Sequence, residues 1–127
     1  MKVLFEAIYN RFVSEGKFGL TEFYNTEAFA DAVFPYGVFS LPDILPGKGE
    51  FGVDWEDCLI HFNLFSQTTL ATEVCAAFEA LKLAFDHYDL TPTGYTPITM
   101  EREPANIFRV EKIWQCSVTY KLLIQKN

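Results

Sequence analysis

The sequence predicts an α+β fold in which an antiparallel sheet of about four strands has two main helices packed on one face. Two segments show the apolar spacing of helices and four show strand patterns, in the order helix, strand, strand, helix, strand, strand. The longest strands alternate apolar and polar residues, as antiparallel strands with one buried face do. The chain has 127 residues, 50% of them hydrophobic, so we expect a single domain over residues 1–127 and exclude intrinsic disorder.

The first helix is predicted over residues 3–14, and Gly16 is a suitable stop just beyond it. Its apolar stripe consists of Leu4, Ile8 and Phe12. Phe23 and Tyr24 are expected to lie in a connector that follows this helix.

The connector leads to a short helical piece that Asn25 or Thr26 would cap and that would run through Ala32. A first strand is predicted over residues 34–41, and Pro42 is expected to end it because proline cannot donate to a sheet ladder.

Residues 43–54 are rich in proline and glycine and predict a loop. The second strand, residues 55–65, alternates cleanly, so its two faces can be assigned. The apolar face consists of Cys58, Ile60, Phe62 and Leu64, and the other face of Asp57, Leu59, His61 and Asn63.

The second helix is predicted from Thr69 to His87, with residues 66–69 supplying its cap candidates. Its stripe consists of Val74, Phe78, Leu81 and Phe85, widened by Ala71 and Ala77.

A segment rich in Pro, Gly and Thr, residues 91–97, leads to a third strand around residues 98–102, which Pro104 breaks. The last strand is predicted over residues 111–125. Its apolar face consists of Trp114, Cys116, Val118, Tyr120, Leu122 and Ile124.

The chain is acidic, with 10 Lys and Arg against 17 Asp and Glu and a net charge of −7. Such a surface repels phosphate, which argues against sequence-nonspecific duplex binding through counterion release. Three widely spaced cysteines, Cys58, Cys75 and Cys116, do not form a disulfide framework and indicate a reducing compartment. We expect no transmembrane helix and no signal peptide.

Residues 47–52 match the pattern G-x-G-x-x-G. A phosphate site of that kind needs a helix N-terminus directly after the glycines. Here Asp54, Glu56 and Asp57 follow and lead into a strand, so a hairpin loop is the better interpretation than a nucleotide site.

No constellation of side chains predicts catalysis, a cofactor or a metal. Cys58 and His61 have ligand spacing, but residues three apart on a strand point to opposite faces. Cys75 and His87 would be about 18 Å apart along one helix, too far for a nucleophile and its base. A pocket lined by His61, Asp86 or His87 would favour the alternative of a small α+β ligand-binding domain or enzyme.

Two other features indicate binding to a partner. The loop of residues 43–54 carries apolar side chains among glycines and acids, and long loops in small domains are usually functional or disordered. A sheet of about four strands also leaves two edges that need cover, which neighbouring subunits would provide.

The layout resembles the tail-completion family of long-tailed phages, the tail terminator or tail-to-head joining proteins. The resemblance covers nearly the full length and rests on the segment Phe34-Pro35-Tyr36-Gly37-Val38-Phe39, the helix Thr69–His87 and the closing strand at residues 114–122. Phe65-Ser66-Gln67 stands where the family commonly has Arg or Trp-Ser.

The resemblance implies a virion structural protein, made in the bacterial host cytoplasm and placed at the tail neck. It implies a ring homo-oligomer, a hexamer, that caps the tail tube, stops its polymerisation and meets the head connector. DNA would only pass through the lumen, and no cofactor or membrane is involved. The predicted contact residues are Lys48, Glu50, Phe51 and Asp54. The alternative within the same assembly is a head-closure type of neck protein.

Overall fold

Two helices and six strands make up the described part of the chain, in the order helix, three strands, helix, three strands. The structure is a computed structural model that describes residues 2–47 and 55–127. The helices are α1 (Lys2–Ser14) and α2 (Thr72–Phe85), and a 3-10 turn, Gly16–Gly19, follows α1. The strands are β1 (Glu22–Asn25), β2 (Tyr36–Gly47), β3 (Trp55–Ser66), β4 (Tyr95–Arg102), β5 (Asn106–Val110) and β6 (Ile113–Lys126). Neither described helix is long and apolar enough to cross a membrane.

All six strands belong to one open sheet with the order β1-β2-β3-β6-β4. β1 runs parallel to β2, and every other described pairing is antiparallel. β5 and β4 lie on the same side of β6, where β5 pairs with its first half and β4 with its second half. The α+β class and the mostly antiparallel sheet are therefore as predicted, but the sheet has two more strands than the four expected.

Both helices pack on the same face of the sheet, as predicted. α1 buries its predicted stripe, and the Phe12 ring lies 4.6 Å from that of Phe23 on β1. α2 places Phe85 5.1 Å from the Phe62 ring and 6.0 Å from the Tyr120 ring. Each fully buried side chain of this size contributes roughly 1.5–3 kcal/mol to stability, so this aromatic layer stabilises the packing of the helices on the sheet.

The predicted faces of β3 and β6 are confirmed. On β3 the buried residues are Cys58, Ile60, Phe62 and Leu64. On β6 they are Cys116, Val118, Tyr120, Leu122 and Ile124, whereas Trp114 is only half-buried. The pairing of β3 with β6 places the two buried sets side by side, because Phe62 pairs with Val118 and Leu64 with Cys116.

The expected helical piece from Asn25 or Thr26 through Ala32 is wrong, and so is the connector at Phe23 and Tyr24. These two residues lie on β1, where Phe23 is buried in the aromatic core. Thr26 has a left-handed φ of 70°, which a helix start cannot use. Core burial of one ring therefore outweighs the local cap signal.

The first strand does not end at Pro42. β2 continues to Gly47, with a register shift between Ser40 and Asp43 that accommodates the proline without a ladder bond. The predicted loop of residues 43–54 is therefore wrong at its start, and residues 48–54 lie outside the described residues.

The helix α2 is shorter at both ends than the predicted helix from Thr69 to His87. It begins at Thr72, its cap residue Ala71 makes no side-chain cap bond, and the Ser66 hydroxyl instead donates to Glu73 Oε1 at 2.7 Å. It ends at Phe85, because His87 adopts a left-handed φ of 56°.

The C-terminal part contains a hairpin that was not predicted. Val110 pairs with Ile113, and Glu111 and Lys112 form the two-residue turn with φ values of 49° and 70°. Positive φ at both positions is typical of the tight turns that join antiparallel strands. The last strand therefore starts at Ile113 rather than at residue 111.

Candidate interaction surfaces

The predicted contact residues Lys48, Glu50, Phe51 and Asp54 all lie outside the described residues, so their role stays a prediction. The glycine pattern at residues 47–52 falls mostly in the same segment.

His61 lies on the face of the sheet opposite the helices. Its Nδ1 is 2.9 Å from the Thr119 hydroxyl and its Nε2 is 3.2 Å from the Ser117 hydroxyl. Next to it, Gln115 Nε2 donates to Asn63 Oδ1 at 3.0 Å. These side chains bond to one another across neighbouring strands, so they form a polar ladder that stabilises the pairing of β3 and β6.

Cys58 points to the opposite side and is fully buried, which confirms that it diverges from His61. Burial raises the pKa of the Cys58 thiol to about 11, and that of Cys116 also to about 11. Both thiols are therefore protonated at neutral pH and behave as small apolar side chains. Among residues 2–47 and 55–127 there is no group of three His, Cys, Asp or Glu side chains placed to hold a metal ion.

Asp86 joins the end of α2 to the sheet. Its Oδ1 accepts a hydrogen bond from the Tyr120 hydroxyl at 2.6 Å, and Arg102 Nε donates to the same oxygen at 3.0 Å. Burial raises the pKa of Tyr120, and the carboxylate of Asp86 raises it further. The carboxylate is engaged by both donors, so this cluster is a structural connection rather than a free acid or base.

A shallow cleft of about 390 Å³ lies beside this connection and includes Asp86, His87 and Arg102. It does not include His61, which lies on the other face of the sheet. Of the three candidate residues of the enzyme alternative, the cleft includes Asp86 and His87, which are neighbours in the chain, and the fold separates His61 from them.

The outer face of the sheet, opposite the helices, carries an aromatic group at its β1 end. The rings of Tyr24 and Phe29 are 5.6 Å apart, those of Phe34 and Tyr36 5.0 Å, and those of Tyr36 and Phe65 5.1 Å. Phe29 is 73% exposed, so part of this aromatic surface has no cover from the described chain.

The segment of the chain that carries Tyr24 and Phe29 is acidic. Residues 20–36 contain Glu22, Glu27 and Asp31 and no Lys, Arg or His. Glu22 is engaged within the chain, because its Oε1 accepts bonds from the Tyr9 hydroxyl and the Phe23 amide, both at 2.9 Å. Glu27 and Asp31 are exposed. We name the half-buried Tyr24 and the exposed residues Phe29, Val33, Glu27 and Asp31 the acidic patch.

The hairpin of β5 and β6 forms a second apolar surface at the opposite edge of the sheet. Every residue of β5 is exposed, including Phe108 at 39% and Val110 at 57%. The Arg109 guanidinium carbon lies 5.6 Å from the centre of the Trp114 ring. Arg109 and Lys112 outnumber the single acid, Glu111, between residues 106 and 114. We name Phe108, Arg109, Val110 and Lys112 the basic hairpin.

The sequence reasoning missed both surfaces, although it predicted that sheet edges need cover. The available signal was apolar residues beside charges that are all acidic over residues 20–36 and mostly basic over residues 106–114.

No protein-family model matches the chain, and no curated protein matches it. Among solved structures, one chain from the virion of a native gene transfer agent (GTA) particle has a similar fold, with a TM-score of 0.72 and 16% sequence identity. The match covers 93% of this chain and 91% of that chain. At this identity the likeness concerns the fold alone, and the chain shares that fold over nearly its whole length with a component of a gene transfer agent virion.

Proposed function

We propose that this chain is a virion structural protein of a long-tailed phage or phage-like particle. We further propose that it caps the finished tail tube as a ring, stops tail polymerisation and joins the tail to the head connector. The observation that carries the proposal is the fold shared with the gene transfer agent virion component over 93% of the chain.

The chemistry of the described residues is compatible with such a role. His61 and Asp86 are held in structural hydrogen bonds, and the two buried thiols are protonated at neutral pH. The charge of −7 suits a protein past which DNA must slide without adhering. Exposed apolar side chains at both edges of the sheet suit contacts with other subunits.

The proposed partners are further copies of the chain in a hexameric ring, the tail tube protein and the head connector protein. We propose that Lys48, Glu50, Phe51 and Asp54 contact one of the last two. No cofactor has a role in this proposal, and DNA is only a passing ligand.

The test is electron microscopy of particles from the source phage or prophage after deletion of the gene, with a strain complemented by the wild-type gene as control. We expect overlong tail tubes and filled heads without tails. Tails of normal length without heads would assign the chain to a neighbouring joint of the neck. Intact infectious particles would refute a structural role altogether.

A further inference from the structure

We infer that the acidic patch of one copy binds the basic hairpin of a second copy, in a head-to-tail contact. This inference rests on the proposed ring-forming function and names the two surfaces that build the ring. It depends on three properties of the described residues: exposed apolar side chains, opposite charge, and position in the sheet.

The first property is that both surfaces expose large apolar side chains. On the acidic patch, Phe29 is 73% and Val33 65% exposed, and on the basic hairpin Val110 is 57% exposed. Exposed aromatic and aliphatic groups gathered at one place mark contact sites more often than isolated ones do. A contact between the two surfaces therefore removes apolar area of both from water, which favours association.

The second property is their charge. The exposed carboxylates Glu27 and Asp31 have no cationic neighbour among residues 20–36, whereas Arg109 and Lys112 give the hairpin a net positive charge. Within the described residues, none of these four side chains takes part in a salt bridge. Because each copy carries a net charge of −7, random association of copies is repulsive, and a local match of opposite charges selects this one orientation.

The third property is that the two surfaces lie at opposite edges of the sheet, and that one cross-strand row runs from β1 to β5. Glu22 pairs with Tyr36, Tyr36 with Phe65, Phe65 with Gln115 and Gln115 with Phe108. Four strand spacings separate β1 from β5, about 19 Å at about 4.8 Å each.

The geometry of the contact follows from that row. A contact between different surfaces of identical copies is heterologous, and it produces a ring when the rotation closes. The patch adjoins this row through its aromatic rings, because the Tyr24 ring lies 5.6 Å from that of Phe29 and 5.9 Å from that of Tyr36. Joining the two surfaces therefore brings successive copies together edge to edge along the row. If the acidic patch bound a different, basic protein instead of a second copy, the basic hairpin would remain without a partner.

The test uses two charge-reversed forms of the full chain. One carries Arg109→Glu and Lys112→Glu, and the other carries Glu27→Lys and Asp31→Lys. Each form alone brings like charges together at every head-to-tail contact, so self-association measured by sedimentation velocity should weaken by about tenfold or more. A control with Lys121→Glu and Lys126→Glu changes the net charge as the hairpin form does, on the other half of β6, and should assemble like the wild type.

The decisive sample is an equal mixture of the two reversed forms. In the mixture, each acidic hairpin meets a basic patch and each unchanged hairpin meets an unchanged patch, so assembly should return with the two forms alternating. Native mass spectrometry would show equal numbers of both forms in each oligomer. A wild-type chain that remains monomeric at millimolar concentration would overturn the inference, as would reversed forms that assemble normally or a mixture that does not recover.

The result of the charge-reversal experiment can be distinguished from the result of the gene deletion that tests the proposed function. Recovery of assembly in the mixture, together with normal particles after gene deletion, would establish the contact and reject the tail role. Overlong tails after deletion, together with no effect of charge reversal, would establish the role and reject these surfaces. Circular dichroism spectra of both reversed forms should match the wild type, because all four side chains are exposed.

Discussion

Replacing Gly37 with alanine tests whether the aromatic core is as tightly packed as the structure indicates. A Cβ atom at Gly37 would lie 2.6 Å from both Cδ2 and Cε2 of Phe23 and 3.1 Å from Cδ2 of Leu64. Phe23 is 2% exposed, and its ring lies 4.6 Å from Phe12 and 5.1 Å from Phe39, so it has little room to turn away. The added methyl group must therefore displace a core ring or the backbone of β2.

The magnitude follows from two opposing terms. Overpacking of a filled core costs about 1–3 kcal/mol. Alanine also lowers the conformational entropy of the unfolded chain, which raises the free energy of unfolding by about 0.4–1 kcal/mol. We expect Gly37→Ala to lower the free energy of unfolding by about 1–2 kcal/mol, measured as a lower urea midpoint with an unchanged m-value.

A double-mutant cycle assigns that loss to the contact with Phe23. Phe23→Leu removes Cε2 and leaves a side chain that turns more freely, so Gly37→Ala should cost less in the Phe23→Leu background than in the wild type. The reasoning is refuted if Gly37→Ala leaves the stability unchanged, or if its cost is the same in both backgrounds.

Three further predictions concern buried polar and titratable groups. Tyr120→Phe should lower the free energy of unfolding by about 1–2 kcal/mol, because Asp86 loses a 2.6 Å hydrogen bond; an unchanged urea midpoint would contradict this. A thiol reagent at pH 7 should label the half-buried Cys75 in the folded protein, and Cys58 and Cys116 only after unfolding; equal labelling of all three in the folded state would contradict their burial. Burial raises the pKa of the Cys58 and Cys116 thiols from 9.0 to about 11, so the unfolded state loses these protons at lower pH than the folded state does. The contribution of the two thiols to the free energy of unfolding is therefore fully present below pH 9 and should be lost as the pH rises towards 11. Urea midpoints that stay constant between pH 9 and pH 11 would contradict this.

The two strands that the sequence analysis missed show where local patterns become insufficient. β1 has four residues and β5 has five, too few for alternation to be distinguished from chance. β5 is exposed along its whole length, so it has no apolar and polar faces to detect. β1 is held by pairing with β2, which begins eleven residues after β1 ends. β5 pairs with the strand directly after it, but the turn at Glu111 and Lys112 has none of the glycine or asparagine that usually signals a tight hairpin.

The candidate site was predictable only in part. Net charge and sheet edges pointed to partner surfaces, and the opposite orientations of Cys58 and His61 followed from strand geometry. The interacting groups themselves were not predictable, because Asp86 meets Tyr120 across 34 residues and the acidic patch depends on a parallel pairing of β1 with β2.

By itself, the sequence determined the two helices, the long strands β3 and β6 and the faces that these elements bury. The helix period of 3.6 residues and the strand period of 2 residues determine which side chains share a face, and the hydrophobic effect buries the apolar face. Only the tertiary structure decided that β1 joins the sheet, that β2 passes through Pro42, and that the acidic patch and the basic hairpin lie at opposite edges. Those outcomes depend on contacts between residues far apart in the chain, whose free energy exceeds the local preferences that would have placed them otherwise.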